Sequence, residues 1–422
     1  MSDILNRLQR FIESSPSVFH SANNIADTLD SLGFKLLDEA SSWDLQVNSR
    51  YYIKRFDTSV IAWQQGDNLA QNGFKILASH CDSPIFKIKI NSQHITSGIK
   101  RCAVEVYGSP ILNTWLDRPL SLAGQVMLKQ GTQWIARNCV TKPVATIANL
   151  AIHLNRDVNK GFEYNKHNHL QALFGLSTQD TENDFIQKFL ADYFKVSVSD
   201  IGAMDLYLIP SNSTEVLGLD GDILQAARID NLSMCQAILE SLAHLSVQNS
   251  TVVGLFLDHE EIGSNSAVGA DGSFVSTVLN RICNFEKDCD VYERALANSF
   301  MLSVDGAHAL HPNFADKHDN YYAPKLGQGV VIKQSANHRY ISCARTVQTF
   351  IDICQKVGVQ YQEMINRADI PSGSTIGPLT SAQLGVKGVD IGIAMLAMHS
   401  INETCSIADY QDMVKVLIGF CN

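Results

Sequence analysis

A chain of 422 residues exceeds what one ordinary core accommodates, and 45 per cent hydrophobic with 18 per cent charged residues describes a folded protein of two domains, or one carrying an insertion. The 43 acidic against 33 basic residues, a net charge of -10, repel phosphate backbones and anionic lipid, which argues against nucleic-acid and membrane partners. Ten scattered cysteines without a C-x-x-C pair indicate neither a disulfide framework nor a thiolate zinc site, only small buried side chains.

The amino terminus mixes charges with apolar residues at helical spacing and holds no apolar run long enough for a signal peptide or a membrane span, so the expected location is cytoplasmic. Ile4, Leu5, Leu8 and Phe11 recur at three to four, and the pattern repeats from Ala22 to Leu32, predicting two surface helices. Strand-like runs follow at Tyr51–Ile53, Val60–Trp63 and Lys75–Ala78. Between about Ile90 and Ile209 short alternating runs such as Cys102–Tyr107 and Leu120–Leu128 predict a β-rich insertion, with one helix at Asp184–Phe194 and a loop from Asn155 to His169.

After Leu217 strands and helices alternate: helices at Ile229–Leu245 and Thr346–Lys356, strands at Val252–Leu257, Phe300–Val304 and Val389–Ile393. This predicts an α/β fold, a mixed sheet flanked by helices, with boundaries at 1–89 and 216–422 for the α/β domain and 90–215 for the insertion. No internal repeat is present.

Chemistry-bearing residues stand at the expected strand ends. Asp258-His-Glu-Glu261 follows Val252–Leu257, His80 follows Phe74–Ala78, Asp305 follows Phe300–Val304, and His399 comes shortly after Val389–Ile393. Open α/β sheets bind ligands at that edge. Two histidines with several carboxylates suit Zn²⁺, Mn²⁺ or Co²⁺, harder than a thiolate site and softer than an all-oxygen cage. Adjacent glutamates make sense if one holds metal while its neighbour takes a proton from water. Single strand-terminal residues of these types serve more often as turn or capping residues, so the set carries the inference rather than any member. H-E-x-x-H, P-loop and G-x-S-x-G motifs are absent. Gly373-Ser-Thr-Ile-Gly-Pro378 lacks a P-loop lysine and reads as a backbone turn lining a cleft.

From Phe11-Ile-Glu-Ser-Ser-Pro-Ser17 to Met398-His-Ser400 the chain resembles the aspartyl aminopeptidase family of two-zinc exopeptidases. The matching blocks, in order, include Ser79-His-Cys-Asp-Ser-Pro84, Trp115-Leu-Asp-Arg118, Ala151-Ile-His-Leu-Asn-Arg156, Arg228-Ile-Asp-Asn231, Glu260-Glu-Ile-Gly-Ser264, His308-Ala-Leu-His-Pro-Asn313 and Ala397-Met-His-Ser400. The resemblance implies that His80, Asp230 and Asp305 hold one zinc and Asp230, Glu261 and His399 a second. It makes Glu260 the general base and Asp82 the carboxylate that orients His80. It further implies removal of acidic amino-terminal residues, with Lys333 and His308 meeting the substrate carboxylate and His153 reaching the substrate in a neighbouring subunit, or less readily a metal. The inserted β-rich domain would then serve oligomerisation, in a tetrahedral homododecamer. Asp258-His259 departs from the Asp-Asn more common before the glutamates, which leaves the residue preference open. A related two-metal amide hydrolase, a deacylase or carboxypeptidase, is the alternative enzyme, and a non-catalytic assembly protein is the alternative from another class.

Overall fold

Nine strands form the largest sheet of the computed structural model, which describes residues 2–178, 181–286 and 289–422. In chain order they are β1 (Lys35–Leu36), β2 (Arg50–Arg55), β3 (Ser59–Gln64), β4 (Phe74–His80), β5 (Thr251–Leu257), β6 (Phe300–Val304), β7 (Val330–Lys333), β8 (Tyr361–Met364) and β9 (Lys387–Gly392), arranged β1-β2-β3-β5-β4-β6-β9-β7-β8. The four central strands β5, β4, β6 and β9 run parallel, while β3 and β7 lie antiparallel to their neighbours in that core. The fold is α/β with a mixed sheet, as the alternation of elements led one to expect.

β5 carries no polar side chain after Thr251 and is buried throughout, the pattern of a strand covered on both faces. Successive residues serve different cores because side chains alternate across a strand. Leu77, Phe256, Leu302, Val304 and Ile391 pack on one face, and Ile76, Ala78, Leu255, Leu257 and Met301 on the other. The first face receives α1 (Ser2–Ser14), α2 (Val18–Ser31), α3 (Ile229–Ala243), α6 (Ala344–Val357) and α8 (Ile407–Cys421). The second receives α4 (Phe274–Cys283), α5 (Val291–Asn298) and α7 (Ile376–Leu384). Among the described residues no helix is long and apolar enough to cross a membrane.

The helix expected from Ala22 begins earlier, at Val18, and stops before Gly33, whose φ of +79° is cheap only without a Cβ. The expected turn at Gly373–Pro378 is a correction: Ile376 already begins α7. Thr375 caps it, its hydroxyl accepting from the Gly377 amide at 3.2 Å, and Pro378 sits in the first turn, where a missing N–H costs no hydrogen bond. The predicted loop of residues 155–169 contains one 3₁₀ turn, Val158–Lys160.

Contacts divide the chain into two units. One comprises Met1–Asp82, Thr214–Met398 and Glu403–Asn422, the other Ser83–Ser213 with His399–Asn402. The first also holds a five-stranded sheet that includes Ala307–His308, Ala394–Leu396 and Glu403–Ser406. The second is built on an antiparallel sheet in the order Gln171–Leu176, Ile99–Tyr107, Ile85–Ile88, Ile201–Pro210, Leu120–Gln130, Gln133–Val140. Its core joins Phe86, Leu122, Val126 and Leu208 to Phe185, Ile186 and Leu190 of a helix at Phe185–Phe194.

One glycine sets where a strand-end carboxylate leaves the sheet. A Cβ on Gly392 would stand 1.8 Å from the carbonyl oxygen of Asp305, just where the Asp305 amide bonds to the Ile391 carbonyl at 3.0 Å. Gly392→Ala should therefore part β6 from β9 at the rim. The expected destabilisation is about 1–3 kcal/mol, typical of overpacking, seen as a lower apparent melting temperature; a variant that melts with the wild type contradicts this account.

Candidate metal centre

The parallel register places Leu257 opposite His80, so the ends of β4 and β5 arrive side by side. After Leu257 the chain turns through residues 258–264 with three positive φ angles, at His259, Gly263 and Ser264. Left-handed backbone is costly for a residue with a Cβ and is tolerated best by Asn, Asp and Gly. His259 accepts that conformation, and its ring Nδ1 lies 2.8 Å from the Ser266 hydroxyl. The turn closes through the Ser264 amide to the His259 carbonyl at 2.7 Å and the Gly263 amide to the Glu260 carbonyl at 2.9 Å.

Asp82, 3 per cent exposed, holds this turn from below: one carboxylate oxygen accepts from the Glu260 amide and the other from the Glu261 amide, both at 3.2 Å. The same carboxylate lies 3.3 Å from Nδ1 of His80, and the Asp82 carbonyl oxygen 3.1 Å from it. Asp82 thus orients the imidazole and both adjacent glutamates at once, a wider role than the sequence suggested.

On its other side, His80 Nε2 is 3.4 Å from Asp230 Oδ1, 3.5 Å from Asp305 Oδ1 and 4.0 Å from Glu260 Oε2. One ring nitrogen can donate to one acceptor, yet carboxylates converge on it from three elements. Donor atoms of His80, Asp230 and Glu261 lie within 4.8 Å of one another, a grouping able to hold a metal ion. The donor set, one imidazole among carboxylates, fits Zn²⁺.

Each carboxylate is held by its own framework. Asp230 opens α3; its amide donates to Glu403 Oε2 at 2.8 Å, and the fully buried Asn231 beside it bonds through its side-chain amide to Ser79 Oγ and the Val304 carbonyl, both at 2.9 Å. Asp305 follows β6; its Oδ1 accepts from the Gly306 amide at 2.7 Å and its Oδ2 from Lys333 Nζ at 3.3 Å. Lys333, only 2 per cent exposed, is therefore already paired with a site carboxylate.

Burial shapes the protonation of the group. It pushes Glu260 up to about 8, with the negative charges of Asp305, Asp82 and Asp230 adding to it and His80 opposing. Asp258 is likewise pushed up to about 8 by burial and by Asp82. Burial alone disfavours a charged His80, but hydrogen bonding to Asp230, Asp305 and Asp82 outweighs it and raises the imidazole well above its usual value. Cys81 between His80 and Asp82 is buried and burial drives its thiol well up, which suits a packing role.

The remaining sequence candidates sit on other segments. His308 ends the short strand Ala307–His308 and is exposed. His399 and His153 belong to the second unit. The His399 carbonyl accepts from the Ile111 amide at 2.9 Å and its Nδ1 lies 3.1 Å from the Ser109 carbonyl, and His153 is exposed in a turn. Sequence reading missed Asn231, Glu403 and Asp390. The signal for Asp390 was available: an ionisable residue inside the apolar run Val389–Ile393 is costly to bury without partners.

The family model described as "Aminopeptidase I zinc metalloprotease (M18)" matches residues 11–421. A probable M18 family aminopeptidase 2 of Clostridium acetobutylicum is 38% identical over 427 residues, covering 100% of this chain and 99% of the relative. Its counterpart in Stutzerimonas stutzeri is 40% identical over 428 residues, covering 100% and 98%. Among solved structures, a chain of the Ape4 and Nbr1 complex superposes with a TM-score of 0.96 at 32% identity, over 100% of this chain and 85% of that one. An M18 aminopeptidase from Thermotoga maritima, at 24% identity over 100% of this chain and 96% of that one, with a TM-score of 0.89, shares the fold.

Asp82→Asn tests the geometry directly. The amide keeps one acceptor oxygen where two backbone amides need one each, so the glutamate turn and His80 lose a common anchor. Metal affinity and kcat/KM should fall about 10–100-fold, the usual cost of removing a group that orients a ligand, as read by zinc titration and steady-state kinetics; unchanged affinity contradicts the clamp.

Proposed function

The chain belongs to the aminopeptidase I zinc metalloprotease (M18) family, and on that premise we propose that it removes acidic residues from the amino termini of peptides, using two zinc ions per subunit. His80, Asp230 and Asp305 would hold one ion and Asp230, Glu261 and His399 the other, Asp230 bridging; Mn²⁺ or Co²⁺ suits the same donors. The observation that carries the reading is the convergence of Asp230, Asp305 and Glu260 on the Nε2 edge of a buried His80.

Zinc, when bound, supplies positive charge that polarises the scissile carbonyl and lowers the proton affinity of water. Glu260 takes the proton of the attacking water and returns it to the departing amine. Two features of the chain support this role. Its backbone is fixed by Asp82, and its carboxylate stands 4.0 Å from His80 Nε2, beside the residues that would hold the metal. His80 stays in place through Asp82, and Asp305 through Gly306 and Lys333. Lys333 and His308 would meet the carboxylate of the first residue, and the free amino terminus would face Asp230 and Glu261, whose charge favours an amine over an acylated nitrogen. That preference separates this reading from the deacylase and carboxypeptidase alternatives.

The reading extends to self-association, as a homododecamer, through the β-rich second unit. Leu150, Ile152 and Leu154 there are 57, 46 and 74 per cent exposed, a patch around His153 that suits burial against another copy, from which His153 would reach substrate. All ten cysteines are free thiols, which supports a cytoplasmic location.

The experiment compares aminoacyl-nitroanilides of Asp, Glu and Leu with N-acetylated Asp, using metal-loaded protein. Free acidic substrates should be cleaved fastest and the acetylated one not at all, and Glu260→Gln should lower kcat at least 10²-fold, the scale of general base catalysis. Cleavage of the acetylated substrate contradicts the aminopeptidase reading, and a Leu preference contradicts the acidic pocket. Ile152→Glu with Leu154→Glu should shift the native mass by light scattering toward smaller species; an unchanged mass contradicts the role given to this patch.

A further inference from the structure

Below the carboxylate rim lies a polar layer of which the mechanism above uses only Lys333. Asp390 of β9 stands in register with Ser303 of β6 and with Lys333 of β7. Cross-strand partners share a face of the sheet, so all three point the same way. Asp390 is fully buried and Lys333 nearly so.

Asp390 is tied to two segments, the start of α7 and residues 341–342. The Thr375 hydroxyl donates to Oδ1 at 2.6 Å, the Ile341 amide donates to Oδ2 at 2.7 Å, and the Asp390 amide donates to Ser342 Oγ at 3.0 Å. Thr375 in turn caps α7 through the Gly377 amide. The fit is tight enough that a Cβ on Gly377 would stand 2.6 Å from Asp390 Oδ1. Lys333 projects from the paired position of β7, donates to Asp305 Oδ2 at 3.3 Å, and has its ammonium 5.5 Å from the centre of the Tyr340 ring. Burial disfavours charge on both Asp390 and Lys333, while their mutual attraction and that of Asp305 for Lys333 act against it. Lys333 is thus a buried cation paired with a rim carboxylate and set opposite, across the β7–β9 pair, a carboxylate rooted in the sheet.

We propose that Asp390 is a positioning residue for recognition of the substrate's first residue: it sets the place of the Lys333 ammonium beneath Asp305 and ties residues 341–342 and the start of α7 to the same point. The proposal rests on the reading that Lys333 meets the substrate carboxylate. Without the Asp390 charge, Asp305 remains the near anion for Lys333, and the ammonium is drawn fully to it and away from substrate.

The test is a double-mutant cycle of Asp390→Asn and Lys333→Met on metal-loaded protein, with kcat and KM measured on Asp- and Leu-nitroanilides. Asp390→Asn should raise KM for the Asp substrate about tenfold, change its kcat by less than about threefold and move the Leu substrate less. The double variant should be no worse than Lys333→Met alone, a coupling of at least about fivefold, as expected for residues that act through one another. Additive effects, or an equal fall of kcat on both substrates, overturn the proposal. A wild type that prefers Leu refutes the acidic pocket by itself. The cycle is then scored on the KM for Leu, where non-additivity upholds the link between Asp390 and Lys333 and additivity overturns it. Should Asp390→Asn fail to fold, Thr375→Val removes one bond to the carboxylate and keeps its charge; a KM rise for Asp in the same direction supports the proposal, and wild-type values overturn it.

Discussion

Everything at the rim follows from one electrostatic constraint: Asp82, Asp230, Glu260, Glu261, Asp305 and Asp258 crowd a pocket around the buried His80 and Lys333. Like charges in a medium from which water is withdrawn repel strongly, and proteins answer by protonating a group or by binding a cation. The first answer is visible. Glu260 and Asp258 are pushed up to about 8, and His80 is drawn toward its charged form. A divalent cation discharges the same repulsion, which makes the pocket's metal affinity and its strain two aspects of one arrangement.

Such a cluster needs a backbone that cannot relax. Four features supply it: the Asp82 clamp on two consecutive amides, the left-handed turn at His259, Gly263 and Ser264, the Asn231 bridge from α3 to β4 and β6, and the absence of a side chain at Gly392. None of them contacts substrate in the proposed chemistry. Each holds a group that does, and together they spread the cost of the crowded carboxylates over five elements of the sheet and its helices.

Much of the site is legible in the sequence. The buried strands stand out as apolar runs, and the residues just beyond their ends, His80, Glu260, Glu261 and Asp305, occupy the edge where open α/β sheets bind ligands. Asp230 came from resemblance, since nothing in its spacing separates it from any other helix-start aspartate. The start of α7 was misread because Gly-Ser-Thr-Ile-Gly-Pro satisfies turn preferences as well as it satisfies a cap and first turn, and only the acceptor on Asp390 decides between them. Glu403 and Asn231 were invisible because their partners lie more than seventy residues away in sequence, and long-range hydrogen bonds leave no local pattern. Lys333 was identified, but its pairing with Asp305 depends on the antiparallel placement of β7 against β9, which periodicity does not encode.

The most direct measurement of the central claim is calorimetric titration of metal-free protein with zinc, for the wild type and for Asp230→Asn. The account predicts two zinc equivalents per chain in the wild type and the loss of high-affinity binding at both in the variant, because one carboxylate would serve both ions. A single equivalent in the wild type, or two that survive in Asp230→Asn, contradicts it.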